Sequence, residues 1–131
     1  MKPIRSYIIV DDDPFNNKIC AMVIKRTLGD VKINTFSVPE EGLEFIENEY
    51  VQNSEPVIVF LDLNMPTLSG WEFMERYEKF NKEIKKHIRI YILSSSVDQR
   101  DKDKANTTPD IKGFISKPLI SEKILSLANE N

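Results

Sequence analysis

The feature that most restricts this chain is an alternation. Five short apolar runs recur at fairly even intervals along 131 residues, and segments of helical period fill the gaps between them. Such alternation builds βα units around a parallel sheet, because parallel strands need a crossover connection, most often a helix. Tyr7-Ile8-Ile9-Val10, Val57-Ile58-Val59-Phe60-Leu61 and residues 88–93 are continuous runs, as befits strands covered on both faces. Residues 31–36 alternate and suit a strand nearer an edge, while Phe114-Ile115 forms a short fifth run just after Gly113.

The gaps carry their own start and stop signals. Asp13-Pro14 reads as a cap with proline in the first turn, Phe15, Ile19, Met22 and Val23 then recur on one face, and Gly29 stops the helix. A second helix begins around Pro39 and points Leu43, Ile46 and Tyr50 inward, with Gly42 weakening its first turn by roughly 1 kcal/mol relative to alanine. Ser69-Gly70-Trp71-Glu72 fits a capping box, followed by a stripe of Phe73, Met74, Tyr77 and Phe80. Residues 97–108 are so charged that any helix there is short and weakly held. A last helix starts near Ser121, with Ile120, Ile124, Leu127 and Ala128 at helical spacing. No repeat, low-complexity tract or linker interrupts this order, so a single domain over 1–131 is expected.

Composition removes several classes of function. With 18 basic against 21 acidic residues there is no electrostatic excess to hold a nucleic-acid backbone, and direct nucleic-acid binding is not expected. No apolar run approaches the roughly 18 residues of a membrane span, so no membrane role is expected. One histidine, His87, and one cysteine, Cys20, exclude a His/Cys zinc cluster built from this chain alone. Cys20 falls in an apolar helical pattern and reads as a buried packing thiol; its lack of an intramolecular disulfide partner favours a reducing, cytoplasmic setting.

The chemistry gathers where strands stop. One strand runs into Asp11-Asp12-Asp13 and another into Asp62, so both acidic groups lie at the carboxyl edge of a parallel sheet, where open α/β folds bind ligands. Four carboxylates at two adjacent strand ends repel one another, and a divalent cation resolves the conflict. Hard oxygen ligands without histidine or cysteine point to Mg²⁺, with Mn²⁺ a plausible substitute. Ser94 ends a third run and Lys117 a fourth, on the same side of the sheet. Carboxylate, cation, hydroxyl and lysine around one point are the parts needed to place a phosphoryl group on an aspartate.

The sequence here resembles the receiver domains of two-component response regulators over essentially its whole length. The matching stretches are Ile8-Ile9-Val10-Asp11-Asp12-Asp13-Pro14, Leu61-Asp62-Leu63-Asn64-Met65-Pro66 with Gly70, Ile92-Leu93-Ser94-Ser95, and Gly113-Phe114-Ile115-Ser116-Lys117-Pro118. The resemblance implies a three-layer, flavodoxin-like (βα)5 fold with a five-stranded parallel sheet in the order 2-1-3-4-5. It makes Asp62 the phosphoacceptor, with Asp11, Asp12 and the Asn64 carbonyl completing the Mg²⁺ set. Ser94 takes the position of the switch hydroxyl, Lys117 that of the phosphoryl-neutralising lysine, Phe114 that of the switch aromatic, and the Lys117-Pro118 bond one that is usually cis. Serine in place of threonine at 94, and Ser95 where a smaller residue is usual, leave phosphorylation intact.

The function so implied is a stand-alone switch and not a metabolic enzyme. Asp62 accepts a phosphoryl group from a sensor histidine kinase or a histidine phosphotransfer protein, and output passes to a downstream partner, since no effector domain is expected. Phe114 is expected to turn inward on phosphorylation, and Asn64 and Ser96 are where control of phosphoryl lifetime is sought. Three other readings compete: a haloacid-dehalogenase-like phosphatase using Asp11 and Asp13, a flavodoxin-like FMN carrier, and a receiver-like module that is never phosphorylated. Taken singly, Asp11-Asp12-Asp13-Pro14 is more often a capped turn, Asp62 an Asx-type turn residue, Ser94-Ser95-Ser96 a polar loop and Lys117 a solvated lysine. Their shared edge favours the site.

Overall fold

Three strands are sealed on both faces because, Arg89 of the third apart, their residues are apolar, aromatic or small. In the computed structural model, which describes residues 4–129, β1 (Ser6–Val10) and β3 (Val57–Leu61) are buried throughout, and β4 (Ile88–Ser94) at all but one position. They form the centre of a five-stranded parallel sheet of order β2-β1-β3-β4-β5, with β2 (Lys32–Phe36) and β5 (Ile111–Ser116) at its edges. The alternating run thus takes an edge, where one side of the strand meets water. The fifth strand starts earlier than its short apolar run suggests, because Ile111 pairs with Ile90 and Gly113 with Tyr91 on either side of a register shift.

Among the described residues six helices cover the sheet: α1 (Pro14–Leu28), α2 (Pro39–Glu49), α3 (Gly70–Glu78), α4 (Lys82–Lys85), α5 (Gln99–Thr107) and α6 (Ser121–Ala128). Successive strand residues point to opposite faces. Ile8, Val10, Val59, Leu61, Ile90 and Ile92 therefore meet Leu43, Ile46, Phe73, Met74 and Tyr77 on one side. Tyr7, Ile9, Ile58, Phe60 and Leu93 meet Cys20, Ile24, Ile124 and Leu127 on the other. Each large apolar side chain so buried contributes about 2 kcal/mol. This is the three-layer, flavodoxin-like α/β arrangement.

Several local expectations need correction. Phe15, Ile19 and Met22 of α1 face solvent, at 68%, 40% and 42% exposure, and the helix buries Asn17, Cys20 and Ile24 instead. The cause is Asn17, whose side-chain amide donates to the Asp11 carbonyl at 2.9 Å and to the Phe36 carbonyl at 3.4 Å. Two hydrogen bonds to strand-end carbonyls fix the helix's rotation in a sequence that is apolar on more than one face. Ile120 is 52% exposed and precedes α6 as its N-terminal flanking residue. The four-residue α4 has no counterpart in the sequence reading, since only Ile84 gives it an inward side.

Other signals worked as read. The Ser69/Glu72 capping box is present, Asp13 caps α1 by accepting from the Phe15 N–H, and Gly29 ends that helix. Gly42 has a reason beyond its low helix propensity: a Cβ there would stand 3.2 Å from Val10 Cγ2, so its absence lets α2 press against β1. Cys20 is buried, and burial together with the Asp11 charge pushes its thiol up to about 12, leaving it a neutral packing group.

Candidate functional site

The register of the sheet sets the site. Val10 lies opposite both Phe36 and Leu61, Leu61 opposite Ile92, and Ser94 opposite Ser116. The residues that follow β1, β3 and β5 therefore emerge at one edge beside the end of β4. Backbone bonds continue the sheet past its last strand residues, from Asp11 N–H to the Phe36 carbonyl at 3.1 Å, from Asp62 N–H to Val10 at 2.9 Å and from Lys117 N–H to Ser94 at 2.9 Å. Four chemically reactive residues are thus placed by ladder hydrogen bonds and not by loop chance.

Their side chains converge. The Lys117 ammonium stands 2.8 Å from Asp11 Oδ2 and 3.5 Å from Asp62 Oδ1. Asp11, Asp12 and Asp62 each offer a carboxylate oxygen within 4.8 Å of the others. Asp11 and Asp62 are buried and Asp12 half-buried, so their mutual repulsion is weakly screened. Burial, reinforced by the Asp11 charge and opposed by Lys117, raises the Asp62 carboxyl above its ordinary value. At Lys117 burial works against the ammonium, but the hydrogen bond to Asp11 and the charge of Asp62 outweigh it and hold the group above the usual lysine range.

The remaining residues singled out from the sequence take different places. Ser94 is wholly buried at the end of β4, and its Oγ accepts from the Ser96 N–H at 3.1 Å. Phe114 is half-buried against the α2/α3-side core, with the Lys102 ammonium 6.0 Å from its ring centroid. Asn64 is exposed two residues past Asp62. The Lys117-Pro118 peptide is cis. Asp13 is spent on the α1 cap and lies outside the carboxylate cluster.

Two contributors to the site went unread. Asn17 fixes α1 against the carbonyl of Asp11, and no spacing signal marks it. Gly70 lets the start of α3 sit on the Asp62 loop: a Cβ there would fall 2.6 Å from the Asp62 carbonyl oxygen and 2.9 Å from Leu63 Cα. Its N–H donates to the Leu63 carbonyl at 2.9 Å. The sequence shows Gly70 in a helix start and in the stretch resembling the receiver family, but not its packing on the Asp62 loop.

Comparison with known proteins identifies the family. The family model for the response regulator receiver domain matches residues 7–129, and the chain belongs to that family. Among solved structures it is similar to a two-component response regulator from Cytophaga hutchinsonii, at 28% identity and TM-score 0.87 over 98% of this chain and 96% of that one. A response regulator receiver protein from Dyadobacter fermentans DSM 18053 is 26% identical with TM-score 0.85, over 93% of each chain. A receiver domain from Rhodospirillum rubrum, 19% identical with TM-score 0.76 over 94% of this chain and 90% of that one, shares the fold. No curated protein sequence matches the chain.

Membership places the chain among signalling domains of two-component systems, not among classical enzymes, in a family that takes a phosphoryl group on aspartate, depends on Mg²⁺ and works with a histidine kinase or phosphotransfer partner. The phosphatase reading loses its general acid, since Asp13 is the α1 cap. Among the described residues no helix is long and apolar enough to cross a membrane.

Proposed function

We propose that this chain is a phosphorylation switch whose acceptor is Asp62. The supporting observation is the position of Asp62, buried between two further carboxylates and a lysine at the mouth of the sheet. In the reaction a carboxylate oxygen of Asp62 attacks the phosphorus of a partner's phosphohistidine. The P–O bond forms as the P–N bond breaks, and the imidazole leaves with a proton. Lys117 neutralises one phosphoryl oxygen as a point charge, and the Ser94 hydroxyl donates to another. Later attack by water at phosphorus releases inorganic phosphate and restores the Asp62 carboxylate.

The donor set fits a hard divalent cation. Three carboxylates facing one ammonium leave an excess of negative charge, all the ligand atoms are oxygens, and neither His87 nor Cys20 is among them. Asp11, Asp12 and Asp62, with the backbone carbonyl of Asn64, would hold Mg²⁺ or, in its place, Mn²⁺. When bound, the ion neutralises charge that builds on the phosphoryl oxygens during transfer. The donor histidine comes from another protein, because His87 precedes β4 at the opposite end of the sheet, roughly 20 Å away by strand rise. The kinase or phosphotransfer protein supplies it, and a downstream partner reads the result.

The test is intact mass after incubation with Mg²⁺ and acetyl phosphate. Wild type gains one labile phosphoryl group, while Asp62→Asn and a sample in excess EDTA do not. A gain that persists in Asp62→Asn would overturn the assignment.

A further inference from the structure

We propose that Ser96 is the positioning residue that carries the state of Ser94 to helix α5. The inference rests on the assignment of Ser94 to the phosphoryl site and concerns where its movement goes next. Ser96 is bonded in two directions. Its N–H donates to Ser94 Oγ at 3.1 Å. Its own hydroxyl donates to Asp101 Oδ2 at 2.6 Å and accepts from the Asp98 N–H at 3.2 Å. Asp98 in turn caps α5, its carboxylate accepting from the Arg100 N–H at 2.9 Å and its carbonyl from the Asp101 N–H at 3.1 Å. An unbroken chain of hydrogen bonds thus joins a wholly buried hydroxyl at the sheet edge to both ends of the first turn of α5.

The bland reading is a serine closing a local turn. A local turn accounts for the bond from Asp98, two residues on, but not for the one to Asp101, five residues on and within the helix. That bond is charge-assisted and short, the stronger class. The neighbouring Ser95 is exposed and makes no hydrogen bond among the described residues, so the linkage belongs to one serine of the three. The helix it reaches buries little, Ala105 being its single buried residue. When the Ser94 hydroxyl turns to donate to a phosphoryl oxygen, the acceptor of the Ser96 N–H turns with it. Ser96 must follow or lose that bond, and Asp98 and Asp101 are tied to its hydroxyl.

The experiment is amide hydrogen exchange resolved by residue, on wild type, Ser94→Ala, Ser96→Ala, Ser96→Thr and the double alanine variant. Without phosphorylation, Ser94→Ala speeds exchange not only at Ser96, its direct partner, but also at Asp98, by about fivefold, the scale of one lost hydrogen bond. Ser96→Ala does the same at Asp98, Ser96→Thr restores the wild-type rate, and the double variant is no faster there than Ser96→Ala alone. With Mg²⁺ and acetyl phosphate, Ser96→Ala still gains its phosphoryl group by mass, while the change in α5 exchange falls to less than half that of wild type. Faster exchange confined to Ser96 in Ser94→Ala would overturn the proposal, as would a full α5 response in phosphorylated Ser96→Ala. If wild type takes no phosphoryl group, the assignment of Asp62 fails, and the unphosphorylated comparison still decides the role of Ser96.

Discussion

Helices α3 and α5 are the same length, nine residues, and each has a formed N-cap, yet the fold holds them very differently. At α3 the Ser69/Glu72 box closes with bonds of 3.0 and 3.1 Å, and Phe73, Met74 and Tyr77 are buried. At about 2 kcal/mol for each large side chain, that stripe outweighs its caps severalfold. α5 has an equally good cap at Asp98 but buries only Ala105, and it is fastened from outside by Lys104 over Trp71 at 4.7 Å and Lys102 over Phe114 at 6.0 Å. Such cation–π contacts contribute about 0.5–1 kcal/mol each at exposed sites. Caps decide where a helix starts; burial decides whether it stays. The fold thus sets a fixed helix beside the Asp62 loop and a cheaply displaced one beyond Ser94.

The largest test of that contrast is truncation on each helix. Phe73→Ala should lower stability by about 3–5 kcal/mol, the usual cost of emptying a buried aromatic site, whereas Ala105→Gly should cost about 1 kcal/mol. Urea midpoints measure both. Equal losses would mean that α5 is anchored by something other than its buried face, and the contrast would fail.

A second test asks whether α3 is fixed because it supports the acceptor loop. Gly70→Ala places a methyl group 2.6 Å from the Asp62 carbonyl oxygen, and backbone cannot swing aside as a side-chain tip can. The variant should lose about 1–3 kcal/mol, as overpacked sites do, and should take up a phosphoryl group from acetyl phosphate more slowly. Unchanged uptake with unchanged stability would separate α3 from the site.

The same contrast explains what could be read beforehand. β1, β3 and β4 were legible because strands covered on both faces need apolar residues at nearly every position, and α3 because its caps and its stripe agree. The rotation of α1 was not, since Phe15, Ile19, Met22 and Ile24 leave two apolar faces open and the decision falls to Asn17, a polar residue with partners 6 and 19 positions away. The site residues stood out as strand-terminal polar groups. The bond from Lys117 to Asp11 spans 106 residues and follows only once the strand order brings β5 and β1 to one edge. Likewise the sequence marks Ser94 as strand-terminal and Ser96 by its place two residues on, whereas the bonds from Ser96 into α5 follow only from the fold.

Tyrosine ionisation sharpens the picture of the rigid side. Burial pushes Tyr7 and Tyr50 up to about 12, and it raises Tyr77 of α3 further, with the Asp110 charge adding to it. These groups bind protons more tightly in the folded chain than in the unfolded one, so their contribution is fully present below the ordinary value near 10 and is lost as pH rises above it. At pH 11 each should cost about 1 kcal/mol of stability. Absorbance at 295 nm should therefore step up at pH 11 when urea unfolds the protein, and Tyr77→Phe should shrink the step while Ala105→Gly leaves its size unchanged. Full ionisation in the folded protein would show that the α3 side admits water.

The smallest effect bears on α5 itself. Lys104→Gln removes the charge over Trp71 but keeps most of the side chain's length, so what it subtracts is the cation–π attraction, about 0.5–1 kcal/mol at an exposed site. Trp71 is the sole tryptophan, and its emission should change in the variant. If α5 is held from outside, amide exchange over Gln99–Thr107 should quicken with it, whereas exchange in α3, from which Trp71 projects, should not. A slower or unaltered α5 would leave Lys104 a solvated lysine and move the hold on that helix back to its N-terminal bonds at Asp98 and Ser96.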